Sequence, residues 1–96
     1  MYEVFVVNSE KKDIMDEIIS DDLISRQTTS VRDGKSLGFK EDVFYALIEG
    51  SEEAIKRAKE LFSDEGIETA DNPEEIKEAI KKEDEAAAQG MGTVFG

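Results

Sequence analysis

The chain has 96 residues, with 24 Asp plus Glu against 12 Lys plus Arg, a formal charge of -12, and neither Cys nor His. This excludes disulfide frameworks, thiolate zinc and iron–sulfur sites, imidazole general bases and His-ligated metals. Such a charge also argues against nucleic-acid binding, which needs a basic surface.

The length suits one domain, and 39% apolar residues can supply its core. No apolar run approaches a membrane span, and MYEVFVVNSE has no basic segment of the signal-peptide kind. A soluble cytoplasmic protein is therefore expected, with no membrane partner. The 15 Glu to 9 Asp, with nine Lys retained, fit a thermophile's ion-pair surface better than a halophile's.

In chain order, Tyr2 to Asn8 alternates Tyr2, Val4, Val6 with Phe5, Val7. A strand apolar on both faces belongs at the centre of a sheet. Asn8 and Ser9 offer caps for a helix carrying Ile14, Met15, Ile18 and Ile19 at helical spacing, ending near Ser20 to Asp22. Leu23 to Val31 (LISRQTTSV) reads as a weaker, polar edge strand, and Asp33-Gly34 as a hairpin turn. Val43 to Ile48 is a second strand apolar on both faces.

Ser51 then caps a helix opening on Glu52 and Glu53, where the helix dipole favours acids, with Ile55, Ala58, Leu61 and Phe62 as its buried stripe and Gly66 as its stop. Ile67 to Ala70 is a short strand. Asn72-Pro73-Glu74-Glu75 marks another helix start, carrying Ile76, Ala79 and Ile80 over 73–88 and fading at Gln89-Gly90. Residues 91–96 are expected to be a flexible tail or a short added strand.

The order β-α-β-β-α-β plus a helix predicts an α+β, ferredoxin-like antiparallel sheet over residues 1–90, with two helices on one face. The two most apolar strands would lie in its centre.

Gly34-Lys35-Ser36 fails as a P-loop because Thr29 stands where its first Gly is needed. No segment fits an EF-hand loop. Carboxylate-only catalysis would need aromatic platforms that 7% aromatics do not supply, so the chain is expected to be no enzyme.

What remains is where the acids converge. The expected fold brings Asp21 and Asp22 towards Glu49, Glu52 and Glu53 at one sheet end, with Asp64 and Glu65 in a second cluster at the other. Hard cations take oxygen ligands from sequence-distant loops, so Ca²⁺ or Mg²⁺ is the expected ligand. The opposing reading is a solvated acidic surface. Residues 25 to 40 run against the overall charge, at about +3, through Arg26, Arg32, Lys35 and Lys40. Arg26, Arg32 and Lys35 are candidates for an anionic effector, or alternatively charges that guard an edge strand against aggregation. A plain interaction domain, docking through the 73–88 helix or the tail, is the third reading.

MYEVFVVN, KKDIMDEIIS, the polar hairpin and VFYALIEGSEEAIKRAKELFSDEGIE together resemble small archaeal proteins related to the nitrogen-regulatory PII group. The chain is also similar to small, highly acidic methanogen proteins of unassigned function, for which calcium binding has been proposed. The first resemblance implies a homo-oligomer, typically a trimer, binding effectors between subunits and signalling through a long loop between the second and third strands. The corresponding connection here, Arg32 to Asp42, is much shorter.

Overall fold

The computed structural model describes the backbone of residues 1–95, with side chains through residue 86. It is an α+β fold built on a four-stranded antiparallel sheet in the order β2-β3-β1-β4. β1 (Tyr2–Asn8) and β3 (Val43–Glu49) pair along their full length, from Tyr2↔Glu49 to Asn8↔Val43. These are the two strands whose doubly apolar pattern predicts a central place. The edges are β2 (Thr28–Asp33) and the two-residue β4 (Glu68–Thr69).

Each sheet face carries its own core. Phe5, Val7, Ala46 and Ile48 point to one side and are covered by α1 (Lys12–Ile19), α2 (Asp22–Ser25) and α3 (Glu52–Asp64). Those helices contribute Met15, Ile18, Ile24, Ile55, Ala58 and Phe62, and the Phe5 and Phe62 rings stack at 4.2 Å. Val4, Tyr45 and Leu47 point to the other side, where α4 (Pro73–Phe95) lays Ile76 and Ile80 over them. This second layer is why β1 and β3 are apolar on both faces. At its flank, half-buried Leu37 and Phe39 continue the core, with Phe39 edge-on to Tyr45 at 6.1 Å.

Three expectations need correction. The segment from Leu23 to Val31 is not one strand: it begins as the short helix α2 and becomes β2 only at Thr28. The Asp21 carboxylate accepts from the backbone N–H groups of Leu23 and Ile24, which starts the helical turn, and fully buried Ile24 anchors it. Gln27 then closes the segment, donating from Nε2 to Leu23 O and accepting from Ser51 N.

Asp33-Gly34 is likewise no two-residue turn, because the connection spans nine residues, 34–42. Gly34 N–H donates to Val43 O at 2.9 Å, and Phe39 N–H to Gly34 O at 2.9 Å. A side chain at Gly34 would collide with the Lys40 carbonyl oxygen, so the glycine serves a close backbone approach. Asp42 holds a φ of 59° as its carbonyl accepts from Ser9 N–H.

Finally, α4 does not fade at Gln89-Gly90, and 91–95 form no strand: the backbone is helical to Phe95. A helical glycine costs only about 1 kcal/mol relative to alanine, and it does not by itself stop a helix. Gly96 lies outside the described residues.

Candidate cation site at the junction of α2 and α3

Asp21 stands between the end of α1 and the start of α2, and its carboxylate is the most heavily engaged of the acids in the expected cluster. Arg57 of α3 grips it with two prongs, Nε to Oδ2 at 2.8 Å and Nη2 to Oδ1 at 2.6 Å. The same carboxylate caps α2. The Arg57 hydrogen bonds, helped by the N–H groups of Ile24 and Leu23 and opposed by desolvation, hold its pKa down to about 2. Asp21 is thus ionised at neutral pH and serves to lock α2 onto α3.

Asp22 is next in sequence but exposed, tied only to Arg26 at 3.1 Å, one helical turn away. Both partners are well exposed, and a pair of this kind stabilises a protein by only about 0.3–0.5 kcal/mol. Glu52 and Glu53 occupy the first turn of α3, capped by Ser51 Oγ accepting from Ala54 N–H at 3.2 Å. Both are exposed. Glu53 shares a shallow hollow with Leu23, Lys56, Arg57 and Glu60, so the first turns of α2 and α3 do adjoin.

Glu49 does not join them. Strand alternation puts it with Tyr45 and Leu47 on the α4 face, where Lys81 Nζ donates to its Oε1 at 2.7 Å. It lies at the expected end of the sheet, but on the opposite side. Asp64 and Glu65 sit at the far end of α3, where the helix dipole disfavours acids. Lys11, from the 3-10 turn Ser9–Lys11, offsets them by donating from Nζ to the Glu65 carbonyl at 2.6 Å. The sequence alone suggests no role for Lys11 beyond surface exposure, yet it caps a helix 54 residues away.

The candidate effector cations also separate. Arg26 follows α2 and faces Asp22. Arg32 sits within β2 on the α4 face, with Nε 3.3 Å from Glu83 and Nη2 2.5 Å from Asp84. Lys35 is exposed in the 34–42 connection, where its backbone N–H donates to Asp33 Oδ1 at 3.3 Å. All three arginines of the chain are therefore bound to carboxylates.

Sequence reasoning missed Arg57, Lys81 and Lys11. None left a local signal, because each reaches a partner 32 to 54 residues away in sequence.

Among the described residues, no group of three or more Asp or Glu side chains is arranged to hold a metal ion. The geometry instead offers two separate exposed acids near the junction, Asp22 on Arg26 and Glu53 in the first turn of α3. No helix among the described residues is long and apolar enough to cross a membrane. No family model matches the chain, and no match was found among curated proteins or solved structures.

Proposed function

We propose that this chain is a non-enzymatic module of ferredoxin-like βαββαβ arrangement that takes up divalent cations, Ca²⁺ foremost, at the α2–α3 junction. The order β2-β3-β1-β4, with α1 and α3 on one face and α4 added on the other, supports the arrangement. The cation reading rests on one observation above the rest. The chain has twice as many carboxylates as basic groups, and Asp22 and Glu53 flank the junction with only weak or solvated partners.

A Ca²⁺ ion can draw Asp22 away from Arg26 at little cost, because an exposed ion pair contributes so little. It would take protein oxygens from Asp22 and Glu53 and complete its shell with water, while Asp21 stays on Arg57. Binding also relieves self-repulsion among 24 carboxylates and so stabilises the folded chain. Such a site is weak and rigidly built on one side only, with an affinity on the order of 10⁻⁴–10⁻³ M. The anionic-effector reading has less support, since Arg26 and Arg32 already face carboxylates.

The test is to follow amide chemical shifts during separate titrations with Ca²⁺, Mg²⁺ and ATP. Saturable Ca²⁺ shifts at residues 20–23 and 52–57, lost in Asp22→Asn/Glu53→Gln, are the expected result. Small, non-saturating shifts over the whole surface would refute a specific site, and ATP shifts confined to 26–36 would favour the effector reading.

A further inference from the structure

The outer edge of β2 pairs with no strand among the described residues, and its hydrogen-bonding pattern can be read from the ladder. Gly34 N–H donates to Val43 O, continuing the register Asp33↔Phe44 and Arg32↔Tyr45 by one step. Hydrogen-bonded pairs alternate along an antiparallel ladder, so Arg32, Ser30 and Thr28 also bond to β3. Thr29, Val31 and Asp33 therefore turn their N–H and C=O groups outward. Two of those carbonyls do find partners away from β3: Val31 O accepts from Arg32 Nη1 at 3.0 Å, and Asp33 O from Leu37 N–H at 3.3 Å.

Edge strands are commonly protected by proline, lysine or a bulge. Thr28–Asp33 has none of these, and its register to β3 is unbroken. Arg32, its only basic residue, is drawn onto α4 by Glu83 and Asp84, and Arg26 is drawn back to Asp22. Arg26 is thus turned aside, and Arg32 is the one basic charge left at this edge, where pairing requires its Nη1 to release or share Val31 O.

We propose that β2 pairs antiparallel with β2 of a second copy about a two-fold axis at Val31, joining two four-stranded sheets into one of eight. The strand is self-complementary in that register. Val31 meets Val31, and Thr29 meets Asp33 in both directions, so all three outward N–H groups of each copy reach a carbonyl, Val31 O and Asp33 O each accepting a second hydrogen bond. Asp33 lies opposite a hydroxyl, and Arg32 lies opposite Ser30. No like charges stand directly opposite one another, and the two Arg32 side chains, diagonal across the axis, are each neutralised by Glu83 and Asp84 of their own copy. The opposing force is the charge of -12 on each copy, which salt screens. The dimer therefore tightens as salt rises, the reverse of an interface held by ion pairs.

The experiment is sedimentation velocity from micromolar to millimolar protein at low and high NaCl, with amide hydrogen exchange on the same samples. The expected result is a rise from the 10.7 kDa monomer to twice that mass, favoured by salt. Protection of the Thr29, Val31 and Asp33 amides should rise with it, while those of Ser30 and Arg32, bonded to β3, stay protected throughout. Thr29→Pro removes an outward N–H and spares the β3 ladder, so it should leave a folded monomer.

A monomer at millimolar protein and high salt, with those three amides exchanging freely, overturns the proposal. So does a dimer that Thr29→Pro leaves intact, which would use another surface. Protection of the same amides at monomer mass would place a segment of the chain itself on the edge and exclude the second copy. The exchange measurement on the unaltered protein decides the matter even if Thr29→Pro fails to fold.

Discussion

Ile80→Ala tests the second core. Ile80 is fully buried against Val4 and Leu47 on the face that α4 closes, and Ile76 is the only other α4 side chain fully buried there among the described residues. Removing three carbons forfeits about 2.4 kcal/mol of transfer free energy at about 0.8 kcal/mol per methylene. The cavity left behind adds to that, giving about 3–4 kcal/mol in all. A domain of this size holds about 5–14 kcal/mol. The change is therefore a large fraction of the total. Urea unfolding followed by far-ultraviolet circular dichroism reads it directly. With a slope of about 1 kcal/mol/M, the midpoint should fall by about 3 M. A split transition would mean that α4 now leaves the sheet before the rest unfolds. A midpoint shift corresponding to less than about 1 kcal/mol would refute the packing, because a surface isoleucine costs little to truncate.

Other outcomes follow from single contacts. Gly34→Ala forces a methyl against the Lys40 carbonyl and Val43, so it should cost about 1–3 kcal/mol and lower the melting temperature by about 5–15 °C. Lys11→Met keeps the aliphatic stem but removes the charge at the end of α3; a loss of about 0.5–1 kcal/mol in a thermal melt is expected. The Asp21 pKa, depressed to about 2 from 3.8, predicts a stabilisation complete above pH 4 and lost as pH falls through 2. Stability measured from pH 5 to 2 should therefore decline less steeply in Asp21→Asn than in the unaltered chain, and equal slopes would assign the acid sensitivity elsewhere.

The strands β1 and β3 were legible because two-sided apolar alternation has one physical meaning, a strand covered on both faces. Ser51 and the Ile55–Phe62 stripe made α3 equally plain. The helix α2 was not legible: at four residues it is too short to show a period, and what starts it is a carboxylate that reads in sequence as a metal ligand. The site suffered from the same ambiguity. Asp21 and Asp22 are neighbours in sequence, yet one caps a helix and holds Arg57, while the other stands in solvent. That Arg57 lies opposite Asp21 depends on how two helices pack, 36 residues apart, and no local pattern encodes it. The face of Glu49, by contrast, could have been read from its parity with Tyr45 and Leu47.

The central position of β1 also sets an order of events during synthesis. Both strands that flank it, β3 and β4, lie far downstream, and one face stays uncovered until Ile76 and Ile80 exist. At about 5–20 residues per second, the chain from Asn8 to Glu49 takes about 2–8 s to emerge. For that interval YEVFVVN is an unpaired apolar strand. Met15 and Ile18 of α1, which emerges directly behind it, are the first apolar side chains of the native core that can cover it.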